Sequence, residues 1–405
     1  MSDSFFSSDI DEWMRAHKTA FTDIRHEIHR HPELGLQEYR TSELVAQKLV
    51  AWGYEVHRGL AGTGVVGQLK LGNSARTLGI RADMDALPIM ETTGQPYASE
   101  SPGVMHACGH DGHTAMLLFA AQCIAERRAF DGTLNLIFQP AEEGLNGASR
   151  MMDDGLFTRF PCEYIFGMHN MPGLPTNVLH FRDGPSMASH DAAVITLTGR
   201  GGHGAMPHLA VDPTVAAASI VMALQTIVSR NANPQDAIIV TVGVLQAGQV
   251  VNVIPETARM ELTIRTLNPV AREMVLSRIT ALVHSQAESF GCRGSVEFHT
   301  RFPVLLNAKE PTDIARRVAR KLVGADRMVE QIPPVMASED FAFMLERVPG
   351  CYLFIGNGMH PEHGGCSVHN PAYDFNDKLL PVGAAYWTAL TESFLASAHS
   401  EAKGP

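Results

Sequence analysis

The chain has 405 residues, 45% of them hydrophobic and 19% charged, with a formal net charge of −11. That length suggests two domains with a sizeable core, and the composition is ordinary for a globular protein. The negative balance argues against a nucleic-acid partner, whose phosphates require a positive face.

In chain order, the N-terminal MSDSFFSSDIDEWM lacks the basic segment and apolar run of a secretory signal, and no stretch reads as a membrane span. Residues 20–52 read as helical, interrupted by a turn at His31-Pro32-Glu33-Leu34-Gly35. A short apolar run, 77–82, precedes Asp83 and Asp85, and residues 114–128 have helical apolar spacing. The segments 133–139, 164–168 and 351–355 read as buried strands. Strands of this kind alternating with helices imply an α/β fold with a mainly parallel sheet. Between about 185 and 300 the pattern changes to strand 192–198, helix 213–229 opened by Asp212-Pro213, strands 237–245 and 257–265, helix 270–289 and strand 294–299. This βαββαβ order is ferredoxin-like. It reads as a satellite domain, 185–300, inserted into a discontinuous domain of residues 1–184 and 301–405, entered near Gly184-Pro185 and left near Arg301-Phe302-Pro303. The six cysteines (108, 123, 162, 292, 351 and 366) form no CxxC pair, which fits reduced thiols and a cytoplasmic location better than a disulfide framework.

Four segments carry the residue types of a metal site. Met105–His113 (MHACGHDGH) combines Cys108 and His110, good ligands for borderline divalent cations, with glycines that let the backbone turn sharply. The same run also reads as a Gly-rich turn with incidental histidines, or as the setting of a nucleophilic cysteine. Gln139–Gly144 (QPAEEG) puts Glu142 and Glu143 directly after an apolar strand, where sites form in open α/β sheets. One carboxylate there can bind metal while the other moves protons; an acidic surface loop is the plainer reading. His169 ends another strand, and His369 follows Gly364-Gly365-Cys366 far along the chain. Cys, His, Glu, His and His are too many for one closed tetrahedral zinc and suit two metals sharing a ligand. His26-Glu27-Ile28-His29 is not a zincin helix, because its histidines are three apart. His29, His31 and Glu33 read as packing or supporting residues.

These motifs resemble peptidase family M20, in its amidohydrolase branch of hippurate hydrolases, auxin-conjugate hydrolases and N-acyl-amino-acid deacetylases. The resemblance runs through His29–Leu34, Arg81–Pro88, His106–His113, Gln139–Glu143, Gly202–Pro207 and Val251–Pro255 to Phe375-Asn376-Asp377. It implies two divalent cations (zinc, manganese, cobalt or nickel) bridged by Cys108, with His110, Glu143, His169 and His369 completing the site. It makes Glu142 the general base and leaves Asp83 and Asp85 to orient the ligands. Other M20 branches place a histidine at the position of Arg81 and an aspartate at that of Cys108; this chain has neither, and His110 restores the missing ligand. The resemblance further implies that His203 of the satellite domain stabilises the oxyanion and that Asn252 and Arg265 hold the substrate. A solvated loop histidine and an exposed strand-end arginine are the plain alternatives for His203 and Arg265. The expected reaction is hydrolysis of an N-acyl amino acid by a homodimer joined through the satellite domain, with no membrane partner. A cysteine amidase, a dipeptidase or carboxypeptidase, and a non-catalytic metal-binding protein are the competing readings.

Overall fold

The computed structural model describes residues 8–299 and 302–396. Two compact units divide the chain. The first comprises Met1–Gly184, Leu306–Pro333 and Phe343–Pro405, and the second Pro185–Leu305 with Pro334–Ala342.

The first unit opens with helices α1 (Ser8–Arg30) and α2 (Tyr39–Ala51) and strands β1 (Glu55–Leu60), β2 (Gly64–Leu71) and β3 (Thr77–Asp83). It continues with α3 (His110–Arg127), β4 (Gly132–Gln139), α4 (Gly147–Asp153), β5 (Tyr164–Pro172) and β6 (Leu179–His180). The second unit contributes β7 (Asp191–Thr198), α5 (Pro213–Thr226), β8 (Ile238–Ala247), β9 (Thr257–Thr266), α6 (Pro269–Ser289) and β10 (Arg293–Phe298). The chain then returns through α7 (Lys309–Val323), β11 (Met328–Val329), β12 (Gly350–Gly358) and α8 (Leu379–Phe394).

An eight-stranded mixed sheet of order β1-β2-β4-β3-β5-β12-β6-β11 forms the first unit. Its central strands β4, β3, β5 and β12 run parallel, so their carboxyl ends share one edge. The buried run LNLIF of β4 and the wholly buried β12 show why these strands read as continuous apolar stretches: both of their faces are covered. Helix α3 packs against α1 and α8, with the Phe21 and Phe119 rings stacked at 4.2 Å. The sequence pattern did not yield the antiparallel β1–β2 hairpin, whose edge strand β1 is half exposed, nor α7 and α8.

The second unit is a four-stranded antiparallel sheet of order β8-β9-β7-β10 with α5 and α6 packed on it. Helix α5 begins as Asp212-Pro213 predicts, and α6 opens in the same manner. Asp212 accepts from Thr214 N–H and Asn268 from Val270 N–H, each followed by proline in the first turn. Two expectations need correction. Residues 334–342 belong with the second unit, because Val335 N–H bonds Ser186 O and Ala188 N–H bonds Ala337 O. The stretch 213–231 is, by length and composition alone, apolar enough to cross a membrane. Here Ala216, Ala217, Ile220 and Leu224 of that stretch face the sheet, while Val215 and Met222 are exposed. Arg301, at the expected exit of the insert, lies outside the described residues.

Asp191, fully buried at the start of β7, accepts two 2.7 Å hydrogen bonds from Arg272 of α6. Asp191→Ala removes this bidentate pair, so we expect a loss of about 2–3 kcal/mol in the stability of the second unit. Urea unfolding reads it; a change below about 0.5 kcal/mol would mean the pair is dispensable.

Candidate metal centre

The candidate site residues of the first unit lie along the carboxyl edge of the parallel strands. Asp83 ends β3, Glu142 and Glu143 follow β4, His169 lies near the end of β5, and α3 begins at His110 itself. The turn into α3 uses Gly109 in the left-handed region (φ 93°), where a Cβ would fall 2.4 Å from Asn170 Oδ1 and 2.5 Å from the Tyr373 hydroxyl. Glycine is therefore required between the two ligand candidates.

Cys108 Sγ lies 3.3 Å from His169 Nε2. The atoms of Cys108, His110 and His169 fall within 4.8 Å of one another, as do those of Cys108, Glu143 and His369. The two trios share Cys108. Each histidine of the first trio is held by its other nitrogen. His169 Nδ1–H donates to Asn170 O at 2.5 Å, and His110 Nδ1–H to Asp85 Oδ1 at 3.1 Å. Both rings therefore present the Nε2 lone pair to the site. His369 sits in the left-handed region (φ 64°), tied by its N–H to Ala107 O at 2.7 Å, so the late loop is fastened to the cysteine turn. Its Nε2 is 3.1 Å from Glu143 Oε1.

His110 Nε2 is buried without a hydrogen-bond partner, and the buried Glu143 Oε1 faces the His369 ring nitrogen at 3.1 Å. Leaving such a nitrogen unpaired costs about 1–3 kcal/mol. An orphaned imidazole nitrogen beside a thiol, two further imidazoles and a carboxylate fits divalent cations of borderline softness. The electrostatics oppose a nucleophilic cysteine. Burial, with Glu143 beside it, pushes the Cys108 thiol up, whereas an activated thiol needs a lowered value.

Asp83 and Asp85 support this centre from behind. Asp85 Oδ2 accepts the Glu143 backbone N–H at 2.9 Å while its other oxygen holds His110. Asp83 is enclosed by His113 (2.7 Å) and Arg81 (2.6 Å). Burial would raise its carboxyl, but His110, Arg81 and His113 hold it well below the usual range. His113 reaches on to Asn170, whose amide meets the Tyr373 hydroxyl at 2.6 Å. Sequence reading assigned no role to His113, Asn170 or Tyr373. The signal for His113 was its i, i+3 spacing from His110, which became readable only once the helix was seen to begin at His110 rather than Thr114. His29 and Glu33 are supporting residues: His29 bonds Asp111, and Glu33 accepts the Arg40 and Thr41 backbone N–H groups that open α2.

In the second unit, His203 and Asn252 line one open concavity of about 630 Å³ together with Arg200 and Glu256. His203 pairs with Val253 across a two-residue ladder. Its Nδ1 accepts the Ala205 N–H at 3.0 Å, which fixes the neutral tautomer with the proton on an exposed Nε2. Arg265 lies outside this concavity. It donates to Met336 O and Ser338 Oγ and has no carboxylate partner among the described residues.

A sheet edge that gathers a thiol, three imidazoles and paired carboxylates, in a chain that also forms a small antiparallel second unit, defines a metallohydrolase architecture. The chain belongs to peptidase family M20/M25/M40, whose model matches residues 79–393. It is 44% identical to the hippurate hydrolase of Campylobacter jejuni over 93% of this chain and 96% of that one. It is 36% identical to an N-acetyl-L-cysteine deacetylase of Bacillus subtilis over 94% and 89%. A solved Bacillus subtilis structure, described as a dinuclear metal-binding peptidase from the M20 family, matches with a TM-score of 0.82 at 32% identity, covering 94% of this chain and 99% of that one. The chain is thus a hydrolase of this family.

Proposed function

We propose that the chain hydrolyses the amide bond of N-acyl amino acids, releasing a carboxylic acid and a free amino acid. The observation that carries this reading is the pair of ligand trios sharing Cys108, with Glu142 close to His110 and Glu143. The hippurate hydrolase and deacetylase relatives support the substrate class, and the dinuclear Bacillus subtilis relative supports the two-metal reading.

Cys108, His110, Glu143, His169 and His369 would hold two divalent cations, which when bound act as Lewis acids and lower the pKa of water from 15.7 towards about 7. Glu142 takes the proton of the attacking water and returns it to the leaving nitrogen. The His203 Nε2–H donates to the carbonyl oxygen as it gains charge, and its fixed tautomer supports that role. Arg265, a cation without a carboxylate partner among the described residues, suits the substrate carboxylate, with Asn252 as a further polar contact. The exposed Val215 and Met222 of α5 and the open edge of β8 support a homodimer through the second unit.

The test is a panel of N-benzoyl, N-acetyl and indole-acyl amino acids beside dipeptides, assayed on chelator-stripped protein reconstituted with zinc, manganese, cobalt or nickel. We expect stripped protein to be inactive and to melt at lower temperature, and acyl amino acids to be turned over faster than dipeptides once metal is restored. Faster dipeptide cleavage would make the chain a peptidase, the word used of its Bacillus subtilis relative. Activity that survives stripping would sink the metal reading.

A further inference from the structure

We propose that Glu38 is a positioning residue for Glu142: its carboxyl holds the backbone turn that delivers Glu142 beside His110 and Glu143. The inference rests on Glu142 acting as the base.

The turn is an unfavourable one. Ala141, between the end of β4 and Glu142, has φ 56°, a left-handed conformation that residues with a Cβ adopt rarely. Such a conformation persists only where the surroundings impose it. The Ala141 N–H donates to Glu38 Oε1 at 2.8 Å, across 103 residues of chain. The Ala141 carbonyl accepts from Gly147 N–H at 3.0 Å, and Gly144 N–H bonds Glu142 O at 2.7 Å. On its far side Ala141 packs so closely on Gly35 that a Cβ there would lie 3.1 Å from it.

Glu38 is built for this contact. It is fully buried and stands at the N-cap of α2, yet its side chain makes no capping bond to its own helix. A residue that served α2 alone would be Ser, Thr, Asp or Asn and would bond the N–H groups of the first turn. In this chain Glu33 meets that need from outside. Both oxygens of Glu38 are instead committed, Oε1 to Ala141 and Oε2 to the buried Thr63 hydroxyl at 2.6 Å. Burial pushes this carboxyl up to about 7, which the geometry tolerates because a Thr hydroxyl can donate or accept.

Displacing a reacting group by about 1 Å can cost on the order of 100-fold in rate. Glu38→Ala removes the side-chain anchor of this turn's alanine, while Glu38→Gln keeps an oxygen for the Ala141 N–H. With N-benzoylglycine as substrate and the metal-loaded enzyme, Glu38→Ala should lose on the order of 100-fold in kcat with little change in KM, and Glu38→Gln should stay within about fivefold of wild type. Bound metal should be unchanged in both. In a Glu142→Ala background the further loss from Glu38→Ala should vanish, since two residues acting through one group are not additive. Full additivity in that background would overturn the positioning role while leaving Glu142 as the base. A Glu142→Ala variant with wild-type activity would instead remove the base assignment on which it rests. A Glu38→Ala enzyme within about threefold of wild-type kcat, or a Glu38→Gln loss as large as that of Glu38→Ala, also overturns the proposal. Should Glu38→Ala fail to fold, Thr63→Val, which removes only the second hydrogen bond, should lower kcat several-fold; an unchanged kcat in Thr63→Val would then overturn the proposal.

Discussion

Glu142→Ala is expected to lower kcat by about 100- to 10,000-fold while the enzyme keeps its metal. Glu142 and Glu143 are neighbours in sequence but differ in surroundings. Glu143 has its backbone N–H on Asp85 and its carboxylate beside His369. Glu142 is buried close to His110 without belonging to either trio that shares Cys108. Truncating Glu143 should therefore strip metal and lower the melting temperature, and truncating Glu142 should spare both. Metal content by atomic absorption, set beside single-turnover rates, separates the two cases. If Glu142→Ala retains more than about a tenth of wild-type kcat, the base is another group.

Arg25→Ala should destabilise the first unit by about 3–5 kcal/mol, the usual cost of removing one partner from a buried ionic cluster. Arg25 is fully buried in α1 and reaches Asp111 at 2.7 Å, Asp374 at 2.6 Å and Asp377 at 3.4 Å, with the Tyr97 ring 4.8 Å away. It thereby joins α1 to the first turn of α3, which carries His110, and to the chain that follows His369. Asp111 is itself fully buried. Burial alone would raise its carboxyl, but Arg25 and His29 hold it well below the usual range. A carboxylate depressed in the folded state stabilises above its unfolded value near 3.9, and that contribution is lost as pH falls through the folded value. The gap between wild type and Arg25→Ala should thus be widest above about pH 5 and narrow below about pH 4. Chemical denaturation across that range measures it; a loss under about 1 kcal/mol at neutral pH would show that the cluster does not stabilise the fold.

The sequence by itself determined what short-range physics can fix. Apolar runs such as TLNLIFQ and CYLFI announced strands covered on both faces, Asp212-Pro213 announced a helix start, and the change of pattern after Gly184 announced a second sheet. The donor types were equally plain, because a thiol, imidazoles and paired carboxylates at strand ends are local features. The β1–β2 hairpin was not legible, since the burial of neither strand follows a clean alternation. Nor was the return of residues 334–342 to the second unit, which depends on backbone hydrogen bonds to residues 186 and 188.

Only the tertiary structure decided which side chains meet. It placed Glu38 against Ala141, Arg25 between Asp111 and Asp374, and Asn170 between His113 and Tyr373. It also set which nitrogen His110 and His169 turn to the cluster, through hydrogen bonds to Asp85 and to Asn170 O. These contacts join residues separated by tens to hundreds of positions. No periodicity in one chain encodes them; they follow from the order in which parallel strands stack and from the shared edge on which those strands end.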